Sequence, residues 1–153
     1  MNTLGLRVSP QNIFFCVVER INDEVNIEVL DKIIVPISLT VPDQLSYIRT
    51  TIYTIITQYN IDNAIIRRIE DNSRTINIAR VNIEGVLQEL ISNCRIKKYR
   101  TCKLAQLGQT LGQNTKKMKE CVEGNNLYEI ERWDQYKKEE RESVLCAFAA
   151  SEL

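Results

Sequence analysis

Apolar residues alternate with other residues over Leu4-Gly5-Leu6-Arg7-Val8, the period-two mark of a short strand, and Ser9-Pro10-Gln11-Asn12 supplies a turn. Ile13 to Glu19 is apolar, aromatic and β-branched, which predicts a strand at the centre of a sheet. Asn22-Asp23 breaks it. Val25, Ile27 and Val29 return to period two, and after Asp31-Lys32 comes Ile33-Ile34-Val35, ended by Pro36, so the opening segment reads as a three-strand meander. From Pro42 the period lengthens. Leu45, Ile48, Ile52, Ile55 and Ile56 recur three or four apart, predicting an amphipathic helix from about Pro42-Asp43 to Asn60. Ala64-Ile65-Ile66 is the short apolar run of a buried parallel strand, ending in Arg67-Arg68.

Helical spacing resumes from Ile76 to Ile91 through Ile83, Val86, Leu87 and Leu90. Residues 95–99 predict one more strand, with Thr101 capping a short helix that carries Leu104, Leu107 and Leu111. Asn114 is read as the cap of a second short helix through Met118 to Val122, closed by Gly124. A last helix is predicted from Trp133 to Ser151, with Tyr136, Val144, Leu145, Phe148 and Ala149 inward and Lys137, Glu140 and Arg141 outward. A meander followed by alternating strands and helices implies an α/β fold with a mixed sheet, antiparallel on one side and parallel where helices cross over. No internal repeat or linker divides the chain, so one domain spanning residues 1–153 is expected.

Composition narrows the chemistry. At 44% hydrophobic and 26% charged residues the chain is globular in character, not disordered or collagen-like. No apolar run reaches the roughly 20 residues of a spanning helix, and the N-terminus carries no basic-then-apolar leader, so a cytoplasmic protein without membrane contact is expected. There is no histidine, which removes Ser-His-Asp and Cys-His catalysis and histidine zinc sites. The five cysteines are scattered, with no C-x-x-C pair, so neither a disulfide framework nor a structural zinc is expected. Cys16 and Cys146 lie in apolar stretches and read as core filling, while Cys102 lies among Lys98, Arg100 and Lys103, whose charge favours a thiolate only if the sulfur is exposed. Common nucleotide-binding loops are missing as well, and no cofactor is implied.

Charge becomes informative once it is taken locally. The 20 basic and 20 acidic side chains cancel, yet from Arg95 to Lys119 there are eight Lys or Arg residues and no acid. Such a strip could track phosphates through Lys97, Lys98, Arg100, Lys103, Lys116, Lys117 and Lys119, with Tyr99 available to stack on a base. The alternative is a solvated charged surface, or one that docks onto the acidic C-terminal segment of the same or another copy.

The order of elements and several local phrases resemble the RNase H-like superfamily, most closely the RuvC-type Holliday-junction resolvases. Leu4-Gly5-Leu6-Arg7-Val8-Ser9-Pro10 resembles the family's opening L-G-I-D-P-G strand, and Ile65-Ile66-Arg67 sits where a fourth-strand end bears a glutamate. Ala79 to Val86 is similar to the next family helix, and Gly108 to Gly112 to its G-x-G break between short helices. Glu139 to Ala147 falls where two aspartates, three apart, open a final helix of the form D-x-x-D-A-L-A. The resemblance implies a mixed five-stranded sheet in the order βββαβαβα with helices on both faces. It also implies an ancestral site in which clustered carboxylates hold two divalent cations for phosphodiester hydrolysis.

At the matching positions the charge is reversed. The first-strand aspartate is Arg7, and the fourth-strand glutamate is Arg67, or Arg68 if the register slips by one. Only Glu139 and Glu142 keep acidic character. Guanidinium groups repel the cations that such a site holds, so no metal and no catalytic residue is expected in this degenerate set of Arg7, Arg67, Glu139 and Glu142. Two readings stay open: Arg-Glu ion pairs close the old pocket, or Arg7, Arg67 and Arg68 remain open enough to grip an anion. The functional expectations are accordingly a non-catalytic module that binds DNA or RNA, a dimeric protein-interaction subunit, or a divergent nuclease using Glu139 and Glu142 with Glu70 or Asp71.

Overall fold

The structure, a computed structural model, describes residues 1–72 and 74–153. Strands β1 (Asn2–Val8), β2 (Asn12–Ile21) and β3 (Glu24–Ile34) form the meander, followed by helix α1 (Val41–Gln58), β4 (Ile61–Arg67) and α2 (Ile78–Ser92). Then come β5 (Lys98–Cys102), α3 (Leu104–Thr110), α4 (Thr115–Glu123), a 3-10 turn at Trp133–Gln135 and α5 (Lys138–Ala150). The five strands lie in the order β3-β2-β1-β4-β5, antiparallel across the meander and parallel from β1 to β5.

Each face of the sheet carries its own core. Leu4, Leu6, Val8, Ala64 and Ile66 point to α1 and α2, against Ile48, Ile52, Ile83 and Leu87. Cys16, Val18, Ile65 and Cys102 point to α3, α4 and α5. Because strand side chains alternate, Thr3, Gly5 and Arg7 on β1, with Asn63, Ile65 and Arg67 on β4, are turned towards α5. Gly5 is what lets α5 come so close: a Cβ there would lie 2.0 Å from the Ser143 carbonyl oxygen and 2.3 Å from the Ala147 nitrogen. Two buried polar side chains then fix the helix along its axis. The Thr3 hydroxyl donates to the Ala147 carbonyl at 2.8 Å and the Asn63 amide to that of Ala150 at 3.1 Å. That seating carries Glu142 to the C-terminal ends of β1 and β4.

Four local expectations are corrected. The last strand starts three residues later than residues 95–99, because β5 is an exposed, basic edge strand whose apolar signal is weak; buried Ile96 lies before it. Thr101 belongs to that strand, and the turn into α3 is closed instead at Lys103, whose backbone N–H donates to the Gln106 side chain at 2.9 Å. The final helix begins at Lys138, separated from the Trp133 turn, with the Lys137 N–H capped by Glu140 at 2.7 Å. Arg141 points inward, with 8% of its surface exposed, since backbone carbonyls receive its guanidinium. Elsewhere the caps agree with the sequence: Asn114 accepts from the Lys117 N–H at 2.8 Å, and Gly124 ends α4 at φ +123°.

Candidate functional site

The parallel register of β1 and β4 pairs Arg7 with Arg67. Both guanidiniums meet one carboxylate from α5. Arg7 Nε donates to Glu142 Oε2, and Arg67 Nε lies 3.7 Å from Glu142 Oε1, near enough for charge attraction but too far for a hydrogen bond. Side-chain exposures of 15% for Arg7, 7% for Arg67 and 10% for Glu142 place the group largely out of water. Three further donors are engaged. Arg7 Nη1 donates to the Val8 carbonyl, Arg67 Nη1 to that of Arg68 at 2.5 Å, and Arg67 Nη2 to Glu70 Oε1 at 2.6 Å. Arg67 Nε is buried without a hydrogen-bond partner among the described residues.

A third arginine, which the sequence did not single out, completes the cluster. Arg80 on α2 donates to Glu84 Oε1 at 2.9 Å. Burial and then the positive charge of Arg7 lower its affinity for a proton, against the opposing pull of Glu84 and Glu142. Glu84 is itself buried and receives the Ile69 N–H at 3.4 Å. The available signal was the Arg80 and Glu84 spacing of four on one helix face, a pattern usual for solvent-exposed helices and therefore silent about burial.

Two residues of the expected set stand apart. Glu139 is one turn ahead of Glu142 on α5, half-exposed, and forms no ion pair among the described residues. It does not meet the arginines, because α5 starts only one residue earlier and leaves it in the opening turn. Arg68 is 41% exposed at its side chain and pairs with Asp71 at 3.2 Å. The two thiols nearest to this group are inert: burial raises the Cys102 pKa despite Arg100 and Arg67, and burial raises that of Cys146 well above the ordinary value.

The basic strip divides into two parts. On and around β5, Lys97 pairs with Asp62 at 2.6 Å, Lys98 donates to the Leu153 carbonyl, and Lys103 pairs with Asp71. Hydrogen bonding from Lys97 lowers the Asp62 pKa, and that from Lys103 does the same for Asp71. Lys97 and Lys103 therefore have acids from elsewhere in the fold beside them, which the acid-free run of sequence conceals. Arg100 and Tyr99 are exposed on the strand edge, and Arg100 has no hydrogen bond or ion pair among the described residues. Lys116, Lys117 and Lys119 are exposed on α4, likewise with no ion pair among the described residues.

Neither a protein-family model nor a curated protein sequence matches the chain. Solved structures do. Thermus thermophilus RuvC matches with a TM-score of 0.72 at 10% identity, covering 99% of this chain and 94% of that one. The same protein in complex with Holliday junction substrate gives 0.70 at 11% identity, with the same coverage. The Fowlpox virus resolvase in complex with substrate Holliday junction DNA gives 0.58 at 12% identity, covering 100% and 99%. The chain thus has the RuvC-like RNase H fold, a mixed five-stranded sheet with helices on both faces. No described helix is long and apolar enough to cross a membrane.

Proposed function

We propose that this chain is a nucleic-acid-binding module of the RuvC-like fold, directed at branched or unpaired DNA or RNA, in which metal-dependent phosphodiester cleavage has been replaced by a guanidinium cluster. The observation that carries the reading is the convergence of Arg7 and Arg67 on Glu142. In-line hydrolysis by two metal ions needs carboxylates free to hold hard divalent cations. Here the strand ends supply cations, and the single carboxylate between them is already engaged by both. Those residues do not fit a divalent ion. Glu70 and Asp71, either of which a divergent nuclease would add to Glu139 and Glu142, are held by Arg67 and by Arg68 with Lys103. Among the described residues no three acidic or cysteine side chains gather in a way that could hold a metal.

Support for the nucleic-acid partner is of two kinds. The structural neighbours include resolvases described in complex with Holliday junction DNA. This chain also presents cations that have no ion pair among the described residues, on Arg100 and on the α4 lysines Lys116, Lys117 and Lys119. The test has two arms. Four-way junctions, single strands and blunt duplex are titrated with the protein at several salt concentrations, and manganese is titrated calorimetrically without nucleic acid. Steeply salt-dependent binding without manganese uptake or strand cleavage is the expected result. Manganese-dependent cleavage abolished by Glu142→Gln overturns the reading.

A second reading, a protein-interaction subunit, draws on exposed apolar side chains on the approaches to α1 and α2: Ile37 at 85%, Ile76 at 65% and Ile78 at 73%. A self-complex in sedimentation equilibrium, with no nucleic-acid binding at low salt, would favour it.

A further inference from the structure

Beside the edge strand β5, on the side facing α2, lies a recess of about 390 Å³. Ile66 and Ile91, each 1% exposed, form its apolar floor. Tyr99 and Thr101 stand along one wall, by strand alternation on the face opposite to Cys102. Gln88 and Ser92 of α2 stand along the other. Arg100, which alternation turns to the face of Cys102, borders the recess at the strand edge and lines a second hollow on the far side, beside Gln106 and Gln109.

We infer that this recess receives one unstacked nucleobase, with Tyr99 as its stacking platform and Arg100 holding the adjoining phosphate. The inference rests on the nucleic-acid reading and adds to it which part of the ligand is recognised. Size is the first support, since the volume falls within the roughly 300–1,000 Å³ of small-molecule sites. Chemistry is the second. An apolar floor with an aromatic wall suits a π face, and base stacking on an aromatic side chain tolerates any base. Tyr99 is 48% exposed, so a ring face is available. The Gln88 amide has no hydrogen-bond partner among the described residues and offers both a donor and an acceptor to a base edge. The Ser92 hydroxyl already donates to the Glu89 carbonyl at 2.9 Å, which leaves its lone pairs to accept. Arg100 stands out among the cations on and beside β5: Lys97 and Lys98 are engaged within the protein, and its guanidinium has no hydrogen bond or ion pair among the described residues. A base held in duplex stacking cannot enter such a recess, so the site selects unpaired nucleotides.

The test uses an oligothymidylate carrying a single 2-aminopurine, its oligouridylate counterpart and a blunt duplex, each titrated at low ionic strength with the full chain. Stacking on Tyr99 should quench the 2-aminopurine fluorescence. Tyr99→Leu should weaken single-strand binding about tenfold, equivalent to roughly 1.4 kcal/mol, and abolish the quenching while duplex binding is unchanged. Tyr99→Phe should keep both signals, and Gln88→Ala, a change at an exposed helix position, should weaken the single strand by a smaller factor. The DNA and RNA arms show whether the sugar matters. If single strands bind in a salt-dependent manner and Tyr99→Leu binds and quenches like the wild type, the recess assignment is overturned while the nucleic-acid reading stands. If no oligonucleotide binds at low salt, both fall.

Discussion

Arg67 and Arg141 are buried to nearly the same depth, at 6% and 8% exposure, at the N-terminal half of α5, yet they are satisfied in different ways. Arg67 stands between carboxylates, Glu70 and Glu142, with Arg7 paired to it across the strands and Arg80 acting on Arg7 from α2. Arg141 has no carboxylate partner among the described residues. It donates instead to the carbonyls of Val122 at 3.0 Å, Trp133 at 3.1 Å and Asp134 at 3.2 Å, and its guanidinium lies 5.9 Å from the Trp133 ring centroid. Val122 is in the last turn of α4, where carbonyls lack helical partners and the dipole favours a cation. Arg141 therefore acts as a clasp that ties α4 and the Trp133 turn to α5. Burial of an arginine is not in itself a sign of a site; what distinguishes the strand-end group is two like charges brought together on one shared carboxylate.

Removing the clasp should give the larger stability effect. Arg141→Met strands the Val122 and Asp134 carbonyls, while that of Trp133 keeps the Tyr136 N–H at 3.3 Å, and should cost about 4 kcal/mol in urea unfolding, with little dependence on salt. Arg141→Lys should recover only part of this, because an ammonium group cannot reproduce the forked donors. A loss below about 1 kcal/mol would show that the carbonyls are satisfied without the clasp. Glu142→Gln should follow, at about 3 kcal/mol, because it leaves Arg7 and Arg67 buried without their shared counter-charge. A double-mutant cycle with Arg7→Met should give a coupling of about 2 kcal/mol, whereas Arg141→Met and Arg7→Met should combine additively. Additivity at Arg7 and Glu142 as well would mean that the strand-end contact is energetically empty.

The contrast between these two arginines was only half legible in the sequence. Strands β1 to β4 and helices α1 and α2 followed from apolar periodicity, because each has one face or both faces buried. The charged positions had no such guide. Arg141 reads as a solvent-facing residue between other charges, and only the turn at Trp133, which shortens the helix and folds back over it, creates carbonyls for it to meet. The resemblance to a family pattern put Arg7 and Arg67 at the ends of neighbouring strands, with a slip to Arg68 left open; their direct pairing is seen only in the structure, since periodicity cannot assign the register between two strands about sixty residues apart. Arg80 and Glu84 were missed because their burial depends on the packing of α2 against the strand ends. In the same way β5 was misplaced: an exposed basic edge strand has almost no alternation to detect.

The two parts of the basic strip offer a smaller contrast of the same kind, between cations with internal partners and cations without. If α4 contacts phosphates, changing Lys116, Lys117 and Lys119 together to Gln should lower the slope of log affinity against log salt by about 2. Lys97→Gln should change it by less than about 0.5, because that ammonium already has Asp62. Equal effects would show that the internal pairs open on binding.

The smallest effect concerns Asp62 in the free protein. Its carboxyl is held below the usual range first by the hydrogen bond from Lys97 and further by the Asn2 backbone N–H, at 3.2 Å from Oδ2. A depressed folded pKa means that the unfolded chain takes up the proton first as pH falls. The stabilisation is therefore complete above about pH 5 and declines below about pH 4, towards the lower folded value. Because the pair is mostly exposed, screening keeps the contribution small and reduces it further in salt. Asp62→Asn should accordingly leave a shallower loss of stability between pH 5 and 3 in urea titrations at low salt, with the difference fading as salt is added. An unchanged acid limb would mean that Lys97 is free in solution, and it would then join Arg100 among the cations available to a phosphate.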